Sequence, residues 1–212
     1  MDDALRTMLD GLYGEGEAHD AAEPDRLRRW RNLEPDAAAL LTQVVRIAAA
    51  RLVVEIGTSN GYSTIWLADA VRDTGGRVVS VDVETWPDTA GNLDRAGVAS
   101  TVELVVRDGG GYLAGLPDGS VDLLFLDAER VEYPGWWPHP ARVLRPGGVL
   151  AVDNVLSHPD EVAEFLALVA ADPGFTATTV AVGKGLHLGW KTALGPVSQA
   201  AGRRQGPRRS ST

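Results

Sequence analysis

The chain has 212 residues and a mass of 22.5 kDa; 44% of its residues are apolar and 23% charged. That is the balance of one globular domain with a sizeable core, not of a disordered chain or a small disulfide-dependent module. Its 20 basic and 29 acidic residues, net -9, draw it neither to nucleic acid nor to an anionic bilayer, and with no cysteine and only four scattered histidines it is denied thiolate zinc, iron–sulfur and cysteine-nucleophile chemistry.

The first twenty residues, MDDALRTMLDGLYGEGEAHD, are acidic and lack a basic stretch leading into an apolar core. The expectation is therefore no secretory signal, no membrane span and a cytoplasmic protein. A short first helix is followed by a segment, 11–23, whose three glycines and four acids read as a linker. Residues 35–50 are helical, with Pro35 in the first turn and a Leu40, Val44, Ile47 stripe. LVVEI at 52–56 suits a buried strand, and 62–71 is helical again, stopping before Thr74-Gly75-Gly76. Further strands are expected at 78–81, 102–106, 121–126 and 149–152, with helices at 89–96, 136–143 and 159–171. Strands without polar alternation, separated by helix-length crossovers, describe a parallel sheet covered on both faces. Two last strand-like runs, 175–182 and 185–192, are joined at Gly183-Lys184. That link is too short for a parallel crossover, so they form an antiparallel hairpin. The fold class is thus α/β: a Rossmann-like, seven-stranded, mostly parallel sheet with helices on both faces and a C-terminal antiparallel hairpin. The domain division reads 1–34 as an N-terminal helical segment and linker, 35–197 as the main domain and 198–212 as a basic flexible tail. Without that tail's four arginines the charge falls to -13, with 16 basic against 29 acidic residues, which makes nucleic acid a poorer partner still.

In such sheets ligands bind beyond the carboxyl ends of the strands, where strand order reverses. The residues at those ends are Gly57-Thr58-Ser59-Asn60-Gly61-Tyr62-Ser63, then Asp82, Asp108, Asp127, and Asp153 with Asn154. The first loop is G-x-x-x-G, neither the G-x-G-x-x-G of nicotinamide sites nor a P-loop. Its glycines permit a tight turn and close backbone approach, and the helix that follows offers free N–H groups. Asp82 at the next strand end adds a carboxylate able to accept from both hydroxyls of a ribose, pointing to a ribose-bearing cofactor. Asp127, Asp153 and Asn154, brought together by neighbouring strands, are oxygen donors suited to a hard cation, Mg²⁺ first. The Asp153-Asn154 pair can equally serve as a chain-turning element.

These residues carry a resemblance. VVEIGTSNGYSTIWLA (53–68) resembles the cofactor motif of class I S-adenosylmethionine-dependent methyltransferases, and FLDAERVEY (125–133) with LRPGGVLAVDNVLSHPDE (144–161) resembles the later motifs of the small catechol and caffeoyl-CoA type O-methyltransferases. The resemblance covers roughly residues 35–193. It implies an enzyme transferring the methyl of S-adenosylmethionine to a hydroxyl of a small, phenolic or catechol-like acceptor with vicinal oxygens, assisted by a divalent cation. By position it implies that Gly57, Thr58 and Gly61 lie along the methionine part of the cofactor, that Ser63 binds its carboxylate, that Asp82 holds the ribose and that Asp108 or its neighbours approach the adenine. Asp127, Asp153 and Asn154 become the Mg²⁺ ligands, with Asp127 also beside the cofactor. A lid or homodimer contact is implied for the segment before Pro35.

One departure stands out. Where that branch places a basic lysine, three positions after the fourth-strand acid, this chain has Arg130. Arginine stays protonated and rarely supplies a lone pair, so Arg130 is expected to position rather than to accept a proton: either as a clamp for an anionic oxygen or paired to Asp127 in a metal-free site. His158, four residues past Asn154, is the rival base, and Ser157 the expected cap of the helix begun by Pro159. Tyr133, Trp136, Trp137, Trp30 and Trp86 are candidate walls for a flat aromatic acceptor or the adenine. The alternative reading is a metal-independent small-molecule O- or N-methyltransferase on the same fold.

Overall fold

The computed structural model describes residues 1–192, so the basic segment 198–212 and the end of the expected main domain lie outside it. In chain order the elements are α1 (Asp3–Ala22), a 3-10 turn (Arg26–Arg28), α2 (Pro35–Ile47), β1 (Leu52–Ile56), α3 (Tyr62–Thr74), β2 (Arg77–Asp82), α4 (Thr89–Arg95), β3 (Val102–Val106), α5 (Gly109–Gly115), β4 (Val121–Leu126), α6 (Tyr133–Trp136), α7 (His139–Val143), β5 (Leu144–Val152), α8 (Pro159–Ala171), β6 (Phe175–Val180) and β7 (Leu186–Lys191). The strands form one sheet in the order β3-β2-β1-β4-β5-β7-β6. β1 to β5 run parallel, β7 lies antiparallel to β5, and β6 pairs antiparallel with β7. The Rossmann-like class and its terminal hairpin stand as the sequence implied.

Both faces of the central strands are apolar because both are covered. Val53 of β1 and Phe125 of β4 face a core built with Leu9 of α1, Leu41 of α2 and Ile65 of α3. Their neighbours Val54 and Leu124 face the other layer, with Leu113 of α5, Tyr133 of α6 and Phe165 of α8. Strand order reverses between β1 and β4, which opens the crevice at their carboxyl ends.

Two local expectations are corrected and one element is added. The segment 11–23 is no linker: α1 runs unbroken to Ala22, because Leu5, Leu9, Leu12 and Gly16 form one buried stripe. Burial on that face outweighs the low helix propensity of three glycines. A Cβ at Gly16 would lie 2.3 Å from the Asn32 amide, so the glycine lets the following segment pack back on the helix. The helix expected over 136–143 is split into α6 and α7, since Pro138 and Pro140 deny it backbone donors. The unanticipated α5 begins with three glycines; Asp108 caps it by accepting from the Gly111 N–H at 2.6 Å. Cβ atoms at Gly109 and Gly110 would strike the Trp136 ring, 3.0 and 2.5 Å away respectively. No helix among the described residues is long and apolar enough to cross a membrane.

Candidate functional site

A cleft of about 530 Å³ opens at the strand-order reversal, a volume typical of small-ligand sites. One wall is the loop after β1. Gly57 has φ +108°, and a Cβ there would lie 2.1 Å from the Asp127 carbonyl oxygen, so this glycine brings the loop directly against the end of β4. Asp82 shapes the same loop: its Oδ2 accepts from the N–H groups of Thr58 (2.9 Å) and Ser59 (3.0 Å). Its Oδ1 has no hydrogen-bond partner among the described residues and remains able to accept from a ligand. The Thr58 hydroxyl is bonded to that of Ser80 at 2.7 Å. Gly61, at φ +85°, precedes the first turn of α3.

Beneath this loop lies a buried carboxyl that sequence reading passed over. Glu55 on β1 is fully buried and accepts from Ser63 Oγ (2.6 Å), Ser80 Oγ (2.6 Å) and the Thr64 hydroxyl. Burial pushes its pKa up to about 7 in spite of these donors. Ser63 lines the cleft, yet its hydroxyl proton is committed to Glu55; toward a ligand it offers its backbone N–H in the first turn of α3. Asp108 caps α5 through Oδ2, while its neighbours Arg107 and Gly109 line the cleft.

The acidic cluster forms at the ends of β4 and β5. Asn154, held at φ +65°, donates from Nδ2 to Asp127 Oδ1 at 3.1 Å. Asp153 is buried, and its Oδ1 has no hydrogen-bond partner among the described residues. Loss of hydration raises the pKa of both Asp127 and Asp153, and for Asp153 the nearby charge of Asp127 adds to the rise. Two dehydrated carboxylates with an orphaned oxygen are held apart from water at an energetic cost that a cation can relieve. The donor set is all oxygen and fits a hard ion such as Mg²⁺. It comprises two carboxylates and one amide; among the described residues no cluster of three or more His, Cys, Asp or Glu is arranged for a metal.

Arg130 does not pair with Asp127. Its buried guanidinium turns to α8, with Nε 2.9 Å and Nη2 2.7 Å from Glu161 Oε2. His158 lines the same cleft, Nδ1 2.8 Å from the Ser157 hydroxyl. Its pKa is lowered by burial and by the charge of Arg130, which keeps the ring neutral near pH 7. Ser157 does not cap α8: its hydroxyl donates to the Asn154 carbonyl, and His158 holds the N-cap position without a side-chain bond.

The N-terminal segment crosses the cleft mouth. Asp20 at the end of α1 accepts from the N–H groups of Trp30 (2.7 Å) and Arg31 (2.8 Å), and His19 stacks on Trp30 with centroids 4.2 Å apart. Arg26 and Arg31 both reach Glu129, at 3.1 and 3.0 Å. Trp30, Trp86 and Trp136 line the cleft. Trp137 packs instead on Phe165, and Tyr133 uses its hydroxyl to bridge the N–H and carbonyl of Ala128.

Two further groups at the acidic end went unread. Lys184, from the β6–β7 turn, lines the cleft with Nζ 2.5 Å from Oε1 of Glu34, the residue before α2. Its signal was present, as one of only two lysines in the chain, but the Gly-Lys-Gly run reads simply as a hairpin turn. Only the pairing of β7 with β5 brings that turn over Asp153.

A family model described as "Methyltransferase domain" matches residues 54–155. The chain is 34% identical to a catechol O-methyltransferase of Mycobacterium tuberculosis over 176 residues, 77% of this chain and 78% of that one. Among solved structures, an O-methyltransferase from Bacillus cereus in complex with SAH superposes with a TM-score of 0.72 and 27% identity, covering 88% of this chain and 91% of the other. The O-methyltransferase TomG of Streptomyces achromogenes, involved in tomaymycin synthesis and solved with SAM, gives 0.68 and 29%, covering 91% of each chain.

Proposed function

The chain belongs to the S-adenosylmethionine-dependent O-methyltransferases, and from that premise we propose that it methylates a hydroxyl of a small phenolic acceptor bearing adjacent oxygens, with a divalent cation at Asp127, Asp153 and Asn154. One observation carries the proposal: a buried, unpartnered carboxylate oxygen of Asp153 stands beside Asp127 at the end of the cofactor cleft. The catechol O-methyltransferase name of a 34% identical relative supports the acceptor class.

S-adenosylmethionine supplies a methyl group already activated on a sulfonium. The protein's task is then to hold the acceptor oxygen in line behind it. The Gly57–Gly61 loop and the Ser63 N–H take the methionine end, and Asp82 takes the ribose through the oxygen its loop bonds leave free. Arg107 and Gly109 border the adenine end. When bound, a divalent cation would orient the acceptor's two oxygens and ease ionisation of the attacking hydroxyl. Asp127 and Asp153 would hold it through charge, and Asn154 through its amide oxygen. Arg130, locked to Glu161, holds the 128–132 loop against α8 and accepts no proton. His158, neutral and within the cleft, is the group able to take one.

Methyl transfer to catechol, followed with S-adenosylmethionine, tests this reading. Excess chelator is expected to abolish turnover and Mg²⁺ to restore it, with Asp153→Ala inactive and insensitive to added metal. Full activity in chelator would favour the metal-independent alternative.

A further inference from the structure

The resembling enzymes carry a lysine three positions after the fourth-strand acid, and here that place belongs to an arginine turned away to Glu161. A lysine nevertheless reaches the acidic end of the cleft, from the other side of the sheet. Lys184 sits at the β6–β7 turn between Gly183 and Gly185, both at positive φ. The turn is tied to the loop after β5: Leu156 and Ser157 donate to the Lys184 carbonyl at 3.0 and 3.2 Å, and Val155 donates to that of Gly185 at 3.1 Å. Gly183 N–H is bonded in turn to Asp36 of α2 at 3.1 Å. The side chain is 45% exposed, so its tip reaches the cleft, while Glu34 Oε1 fixes its direction at 2.5 Å. Glu34 Oε2 is buried against Gly183 and has no hydrogen-bond partner among the described residues, so Glu34 keeps its charge turned toward this corner.

We propose that Lys184 is the acceptor-side cation of this enzyme: its ammonium, held by Glu34, pairs with the oxyanion of the bound phenolic acceptor and so supplies from the hairpin the positive charge that Arg130 does not. The inference rests on the phenolic reading above. The acceptor's hydroxyl proton passes to His158, the neutral group in the cleft able to take it, and from there to solvent. Its oxygen lone pair then forms the O–C bond while the C–S electrons return to sulfur, leaving a neutral thioether and a neutral methyl ether beside an unchanged ammonium. Lys184 therefore stabilises the nucleophile without donating or accepting a proton. The groups facing it are Glu34 before α2, Asp36 of α2, Tyr13 of α1, Asp127, Asp153 and His158. Burial works against the ammonium, but the hydrogen bond and charge of Glu34, with Asp153 and Asp127 behind it, hold its pKa above the usual lysine value. A cation beside an oxygen acid favours its ionised form, so the bound acceptor should ionise at lower pH.

The test uses 4-nitrocatechol, whose phenolate band is visible, titrated from acid to alkaline pH with the full chain in Mg²⁺ and saturating S-adenosylhomocysteine. In Lys184→Met the bound ligand should ionise about one pH unit higher than in wild type, whereas Lys184→Arg should keep most of the wild-type value. Methyl transfer to catechol by Lys184→Met should fall about tenfold at neutral pH and recover as pH rises, when the acceptor ionises unaided. Calorimetric affinity for S-adenosylhomocysteine should stay within twofold in all three proteins, showing that the fold and cofactor cleft persist. Equal ionisation of the ligand in wild type and Lys184→Met would overturn the role of Lys184. A wild-type protein that leaves the 4-nitrocatechol spectrum unchanged would instead overturn the phenolic reading.

Discussion

Gly57 illustrates how a single residue couples the two halves of the site. Its φ of +108° suits glycine, and the Asp127 carbonyl occupies the place of a Cβ. Gly57→Ala must therefore push the cofactor loop off β4. A loss of stability of about 2 kcal/mol or more and a tenfold or greater loss of S-adenosylhomocysteine affinity are expected, read by urea denaturation and calorimetry. Glu55 makes a different prediction. Its folded pKa, near 7, lies above its unfolded value, so the unfolded chain releases this proton first as pH rises. The stability associated with the protonated carboxyl is full below about pH 4.5 and is lost as pH climbs toward 7, by on the order of 3 kcal/mol. Glu55→Gln cannot ionise; the difference between its stability and that of wild type should vary over that window in denaturation series, and a constant difference would refute the assignment. The glycine was legible in the G-x-x-x-G pattern. Glu55 was not, because an acid inside LVVEI looks like a strand residue until Ser63, Thr64 and Ser80 are seen around it.

At the level of elements, the segment between α1 and α2 is anchored in the core at Leu33, next to α2, while its middle is fastened across the cleft by partly exposed charge pairs. Arg26 and Arg31 share Glu129, and Arg26 also lies 3.8 Å from Glu161, which holds Arg130. Such partly exposed pairs are each worth no more than about 1 kcal/mol and weaken with salt. Glu129→Gln is therefore expected to speed hydrogen exchange over residues 24–34 severalfold and to raise the acceptor KM, while α2 exchanges as before. High salt should move wild type in the same direction. Unchanged exchange in 24–34 would mean that Asp20 and the His19–Trp30 stack hold the segment by themselves. The resemblance implied a lid or homodimer contact for this segment, but not the groups that fasten it. The glycines of α1 imitate a linker, and partners nearly a hundred residues apart have no local signature.

For the whole molecule, the decisive feature is the reversal of strand order between β1 and β4, which gathers the ends of β1, β2, β4 and β5 around one crevice. A ligand that bridges those ends should stabilise the fold as a unit. S-adenosylhomocysteine at 100 times its Kd adds about 2.7 kcal/mol, or a Tm rise of roughly 5–10 °C for a domain of this size. Asp82→Ala should lose most of that rise at the same ligand concentration, because it removes a ribose acceptor and also frees the Thr58 and Ser59 N–H groups. A full rise in the variant would place the ribose elsewhere.

The sequence by itself determined the alternation of buried strands and helices, the antiparallel terminal hairpin and the acids at the strand ends. These follow from local periods, from turn length and from the short span between a strand and the loop that follows it. Only the tertiary structure decided which partner each charged group takes. Arg130 went to Glu161 rather than Asp127, and Lys184 crossed from the hairpin to Glu34 at the acidic end. Side-chain pairing depends on which strands become neighbours and how closely their ends approach, and neither is encoded within any single window of the chain.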